Sequence, residues 1–457
     1  MSRRGSRQRE RRSRDSPLPH SSEDVVTNGH GTTEFKKRPK NNGPIRVKTA
    51  GESGRRGLHP LQFFAIIWRS TSRLSRAVNF LWPVVPAAIA VYFALEGHDT
   101  LKFSLAYVAV VPCANLIGFA GQELARKMPH TWGVLTETTI GSVVEIILFL
   151  VLLLSDRNNP NLYNIIRAAI LGSILATMLL CLGFCFLAAG LKRETVEFDS
   201  VISEVGTGLL LMAGLGLAIP SLYDKSINYE KSINPTSYNL TTAQITDRTT
   251  NISRIIAILL LVAYVVYVIF QIRTHHGIYD AIFEDDEKND EDRHEEMRKK
   301  KLTLTECILA LIISVGLVAL LAFILVSEIE PIVEQRGISD PFMGLILVPL
   351  VEKAAEHLTA VDEAWDNQIN LALSHCIGST IQTAMLNAPL VVLVAWGQNI
   401  PLDLSFETFD IAILIIAIIT VGNYLRDQKS DYLEGFLCII GAGGSEGGNA
   451  ERSLLMQ

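Results

Sequence analysis

Four ionisable residues, Glu352, Lys353, Glu356 and His357, fall within six positions of the apolar stretch "LILVPLVEKAAEHLTAV", residues 345–361. A charged group at the centre of a membrane-spanning helix costs roughly 2.5–3.5 kcal/mol, so such groups find partners and mark a pathway. Glu356 has a counterpart early in the chain. Glu145 lies in "GSVVEIILFLVL" (141–152), and each glutamate is followed, on the next apolar segment, by a Gly-Ser pair, Gly172–Ser173 or Gly378–Ser379. Two carboxylates, the hydroxyls of Ser142, Ser173, Ser379 and Thr380, the Gln382 amide and carbonyls freed near Pro349 make an all-oxygen environment. Hard cations such as Ca²⁺ take ligands of that kind, with Glu145 and Glu356 as the metal-ligating pair. A single buried glutamate is accounted for by an interhelical hydrogen bond; two at matching positions argue for a site. His357, beside Glu356, titrates in the physiological range and suits either proton coupling or packing.

The elements that must hold these residues are membrane helices. The chain has 457 residues, 49% hydrophobic and only 19% charged, with mean hydropathy +0.28. Apolar runs at about 75–97, 101–124, 134–154, 163–187, 201–222, 253–272, 302–329, 342–364, 371–396 and 406–425 are each long enough to cross a ~30 Å hydrocarbon core. A further start, "YLEGFLCII" at 432–440, gives way after nine residues to a polar, Gly-rich tail (441–457) and reads as truncated. The fold class is therefore an all-α polytopic membrane protein. Residues 1–60 are basic and polar and read as a disordered cytosolic tail.

The two carboxylate-plus-Gly-Ser patterns divide the chain into two repeats, 101–272 and 302–440. The acidic segment 273–301 lies between them as a solvated loop, and the span at 75–97 stands outside as an extra helix. By the span count the copies enter the bilayer from opposite sides. Inverted repeats of this kind build a midplane site from interrupted helices. Basic clusters at 126–127, 192–193 and 298–301 share one side with the basic N-terminus, which places that side in the cytosol. Sequons at Asn239 and Asn251 fall on the other side. The six cysteines all sit in apolar segments and read as small buried hydrophobes, and Gly172 and Gly378 as close-packing positions.

At these motifs the chain resembles the calcium/proton exchanger family of the cation/Ca²⁺ exchanger superfamily. The stretches that carry the likeness are "LTETTIGSVVEIILFLVLL", "AAILGSILATMLLCLGFCFLAAG", "GLILVPLVEKAAEHLTAV" and "LALSHCIGSTIQTAMLNAPLVVLVAW". The resemblance implies an eleven-span fold and exchange of cytosolic Ca²⁺ for vacuolar H⁺, in a fungal-type vacuolar or other internal membrane. Glu145, Glu356, Ser173, Ser379, Gln382 and His357 match the family's pattern. The departures are as informative. The family's Gly-Asn-x-x-Glu motifs become Gly141-Ser142-x-x-Glu145 and Glu352-Lys353-x-x-Glu356. Gln122 and Phe323 stand where acidic residues are expected, and Ala176-Thr177 replaces Ser-Asn.

Lys353 is the departure with the largest physical consequence. Three positions before Glu356, it shares that residue's helical face, with Glu145, Glu352 and Glu356 as candidate partners. There it acts as a tethered cation, or it pairs with Glu352 away from the pathway. Charges of +2 and +1 about 5 Å apart, at an effective dielectric near 20, repel by roughly 6–7 kcal/mol. The expected function is a secondary active transporter, a cation/proton antiporter, not an enzyme. The alternative is a transport-impaired regulator or scaffold in which Lys353 fills the cation's place. Membrane lipid, Ca²⁺ and H⁺ are the expected partners, with no cofactor and no nucleic acid.

Overall fold

The computed structural model describes residues 53–55, 57–70, 72–155, 160–233, 241–291, 293, 298–336 and 342–455. The tail expected for residues 1–60 and the Asn239 sequon therefore lie mostly or wholly outside the described residues.

Helices α1 (Pro60–Arg69), α2 (Arg73–Val78) and α3 (Val84–Ala94) precede the repeats. The first repeat comprises α4 (Asp99–Ala125), α5 (His130–Gly141), α6 (Val143–Ser155), α7 (Pro160–Leu175), α8 (Leu182–Lys192), α9 (Ser200–Ile233) and α10 (Thr242–Ile269). After α11 (His276–Asn289) come α12 (Leu304–Ser327), α13 (Ile329–Arg336), α14 (Val348–Trp365), α15 (Ile369–Gln382), α16 (Ala388–Gly397), α17 (Thr408–Tyr424) and α18 (Tyr432–Leu455). Among the described residues, 8 helical stretches are long and apolar enough to cross a membrane. The stretch ending in α14 carries too many charges to count among them, and the apolar parts of α17 and α18 are shorter. Exposed Ile255, Leu259 and Val262 on α10, Ile312 on α12 and Ile416 on α17 supply the apolar outer surface that lipid requires.

The packing pairs reveal the inverted repeat. The long first helices, α4 and α12, lie against each other, as do α9 and α17. The last helix of each repeat packs on the third span of the other: α10 on α16, and α18 on α8. A short ribbon between β1 (Val196–Glu197) and β2 (Lys429–Ser430) also ties the repeats together. Each exchange has its mirror, which is what a two-fold relation between the halves produces.

Two expectations are corrected. The final helix does not stop after nine residues but runs on through the Gly-rich stretch to Leu455. Its apolar part, Tyr432–Gly444, is still shorter than a span, and its close contact lies near its start: a Cβ at Gly183 would stand 2.8 Å from Gly435 O, and one at Gly435 would stand 2.7 Å from Gly183 O. Small residues there let two helix backbones touch, a contact hydropathy does not register. The acidic segment is not an open loop at its start. It forms α11, whose Asp280 accepts hydrogen bonds from Thr131 N and Oγ1 at 2.8 and 2.7 Å, and whose Asp286 accepts from Asn370 Nδ2 and Leu371 N, both at 2.9 Å. Helix α1 lies between the tail and the first span, with Phe63 and Ile66 buried against Leu116, Phe119 and Cys307.

Candidate functional site

Glu145 and Glu356 meet through backbone breaks in the sequence. The helix carrying Glu145 is interrupted at Gly141–Ser142, so Glu145 falls in the first turn of α6, where the helix dipole favours negative charge. The Gly-Ser helices α7 and α15 pass into π-helical turns at Ala176–Cys181 and Thr383–Asn387, and a third π-turn, Met343–Leu347, leads into α14. Such turns concentrate at functional positions. The first two sit at corresponding places in the two repeats.

Lys353 joins the two carboxylates. Its Nζ lies 2.8 Å from Glu145 Oε2 and 3.1 Å from Glu356 Oε2, and donates to Ser379 Oγ at 3.1 Å. Ser379 Oγ donates to Glu356 Oε2 at 2.6 Å. Glu145 is held further by Ser173 Oγ on Oε1 (2.9 Å), and by Thr383 Oγ1 (2.9 Å) and Asn387 Nδ2 (2.8 Å) on Oε2. The side chains of Glu145 and Lys353 are each 1% exposed, against 18% for Glu356. Glu356 faces a cavity of about 40 Å³, shared with Glu137, His357 and His375. A Cβ at Gly141 would collide with Glu356 Oε1, so that glycine is what admits the carboxylate.

The other expected residues are placed unevenly. His357 lies across from the first repeat, its Nε2 3.4 Å from Thr177 Oγ1. Glu352 is buried, and the Lys353 ammonium sits on Glu145 and Glu356 rather than on it. Gln382 is buried one turn past Ser379 with Nε2 unpaired, and makes no hydrogen bond to Glu145 or Glu356. Ser142 and Thr380 bond back to their own helices, through Thr138 O (3.0 Å) and Cys376 O (2.7 Å), and do not line the pair. Gln122 stands elsewhere, hydrogen-bonded to Glu137. Gly172 is a contact glycine, since a Cβ there would strike the Leu345 backbone, but Gly378 faces open space. Thr383 and Asn387 were not expected; polar residues inside the apolar run "TAMLN" were the available signal.

Residues 98–273 and 307–441 match the sodium/calcium exchanger protein family. The chain belongs to that family. Vacuolar cation/proton exchanger 2 of Oryza sativa subsp. japonica is 31% identical over 372 residues, 80% of this chain and 80% of that protein. The vacuolar calcium ion transporter of Schizosaccharomyces pombe is 31% identical over 364 residues, 79% of this chain and 82% of that protein. Among solved structures, native YfkE superposes with a TM-score of 0.64 at 23% identity, covering 82% of this chain and 99% of that one. This likeness supports the exchanger fold. As a member of an exchanger family, the protein is a membrane transporter by kind rather than an enzyme.

Proposed function

We propose that this exchanger-family protein is a cation/proton antiporter of a vacuolar or other internal membrane, taking cytosolic Ca²⁺ in exchange for vacuolar H⁺ at the Glu145–Glu356 pair. Lys353 is its tethered competitor. The names of the vacuolar relatives support the ions and the membrane. The basic clusters beside α11 support a cytosolic position for that face and for the N-terminus.

The observation that carries the reading is the ammonium of Lys353 set between two carboxylates from opposite repeats. A divalent ion binding there meets a fixed positive charge, so transport requires Lys353 to swing away or lose its proton. Ser173, Ser379, Thr383 and Asn387 then hold the carboxylates for the incoming ion, and His357 lies on the cavity side for the proton. Exchange is accordingly slow and weak in Ca²⁺ affinity.

Ca²⁺ uptake into vesicles driven by a proton gradient tests this. Uptake by the intact protein should be low but measurable and should vanish in Glu356→Gln. The double change Glu352→Gly with Lys353→Asn should raise it at least tenfold. Lys353 also favours a second reading, a regulator or scaffold that keeps the fold without transport. No uptake in either the intact protein or the double variant would establish that reading and refute antiport.

A further inference from the structure

A second cluster of ligand-bearing residues lies beyond the Lys353 pair, and the function just proposed makes no use of it. Glu137 of α5, Glu363 of α14 and His375 of α15 each present one donor atom, all within 4.8 Å of one another. They come from three helices of both repeats. His375 Nδ1 is 2.7 Å from Glu363 Oε2. That contact places a ring N–H on Nδ1 toward Glu363 and leaves Nε2 as the ring atom for a further partner. His375 is 7% exposed, yet its Nε2 has no hydrogen-bond partner and points at Glu137 Oε2, 3.7 Å away. That separation is too long for a hydrogen bond and close to the spacing of two ligand atoms that share one metal ion. Two openings serve the cluster. Glu137 and Glu363 border a vestibule of about 190 Å³, and Glu137 and His375 also line the smaller cavity that holds Glu356.

We propose that Glu137, Glu363 and His375 form a binding site for a borderline divalent transition-metal ion such as Zn²⁺, Mn²⁺ or Co²⁺. His375 Nε2 and the Glu137 carboxylate are the ligands. Glu363 holds the other ring N–H, as carboxylates do behind metal-bound histidines. Water from the vestibule completes the shell. Gln122 positions Glu137 through its hydrogen bond. An imidazole ligand selects against Ca²⁺ and Mg²⁺, which prefer oxygen alone. A metal ion and a proton compete for the same lone pair on Nε2. The charged and titratable groups facing that ring are Glu363, Glu137 and Cys376 and, through Glu137, Arg126 and Glu356. The site needs no transport through the Glu145–Glu356 pair. It rests on the antiport reading only for the side of the membrane from which the ion arrives.

The test is equilibrium binding to the full chain in detergent micelles, with no gradient applied. Calorimetric titration with ZnCl₂ should give one ion per chain, with excess Ca²⁺ unable to displace it. Glu137→Gln and His375→Asn should each weaken binding at least tenfold, while Gly378→Ala, which meets nothing within 4 Å, leaves it unchanged. CoCl₂ on the unaltered protein provides a reading independent of how either variant folds. Visible bands without a thiolate charge-transfer band match this nitrogen–oxygen set. Cys181, Cys185 and Cys376 also cluster, so a thiolate band, or Zn²⁺ binding lost in Cys376→Ser but retained in His375→Asn, overturns the proposal. So does the absence of saturable binding. Loss of Ca²⁺ uptake with Zn²⁺ binding intact would sink antiport and leave this site standing.

Discussion

Glu145 and Lys353 belong to opposite repeats, and their charged atoms meet 2.8 Å apart with each side chain 1% exposed. The two halves of the fold are therefore joined at their centre by an ion pair that neither half can make alone. Burying a charge is tolerable only when it is paired and hydrogen-bonded, and Glu145 has Ser173, Thr383 and Asn387 besides Lys353.

Lys353→Met should therefore destabilise the protein by about 3–5 kcal/mol, because it strands two carboxylates in the interior. Thermal unfolding in detergent reads this as a lower midpoint. Ca²⁺ at about 100 times its dissociation constant should return roughly 2.7 kcal/mol to the variant by binding only its folded form. The unaltered protein should show little response. Equal stabilisation of both by Ca²⁺ would mean that Lys353 does not hold the cation's place.

Gly141 and Gly378 separate a glycine required by contact from one that is not. Gly141→Ala drives a methyl into Glu356 Oε1, whereas Gly378→Ala meets nothing within 4 Å. The first should cost about 1–3 kcal/mol, in line with overpacking elsewhere. The second should stay within about 0.5 kcal/mol or gain slightly in helix propensity. Comparable midpoints for the two variants would contradict the placement of Glu356.

The contrast between these glycines shows what the sequence could convey. The fold class, the repeat and the pairing of Glu145 with Glu356 were legible, because apolar length and the recurrence of a carboxylate before Gly-Ser are one-dimensional patterns. Lys353 was legible as a partner for one of three acids, but not which; helical spacing brings it to Glu356, and only the fold brings Glu145 within 2.8 Å. Ser142 and Gly378 misled because a residue type does not tell which way a helix is turned. Glu137, Glu363 and His375 were invisible as a group, since residues on three helices converge through packing alone. The helix to Leu455 was missed because residues 441–455 carry no apolar run.

Asp286 offers a pH readout outside the membrane segments. Burial pushes its carboxyl from an ordinary 3.8 up to about 6, against the hydrogen bonds from Asn370 and Leu371 that favour the ionised form. The group binds a proton more tightly when α11 is docked than when it is not. Its contribution is thus fully present below about pH 4 and is lost as pH rises through about 6, a difference on the order of 2–3 kcal/mol. Amide exchange in α11, corrected for the intrinsic rate, should show more protection at pH 5 than at pH 7.5. The gradient should disappear in Asp286→Asn. Protection that instead rises with pH would assign the docking to its ion pairs, such as Glu291 with Lys192 at 3.0 Å.

Thr383 and Asn387 supply two of the donors on a single atom, Glu145 Oε2. Removing one leaves that oxygen with Lys353 and the remaining donor, so Thr383→Val or Asn387→Leu alone should cost about 1.5–3 kcal/mol, the range for one hydrogen bond to a charged group. Removing both leaves Lys353 as its only close partner. The two losses should then not add: a double-mutant cycle on unfolding midpoints should return a coupling energy of at least about 0.5 kcal/mol. Ser173 donates to the other oxygen, Oε1, at 2.9 Å. Its coupling to Asn387 should be smaller than that between Thr383 and Asn387. Strict additivity between Thr383 and Asn387 would show that they do not share the carboxylate oxygen.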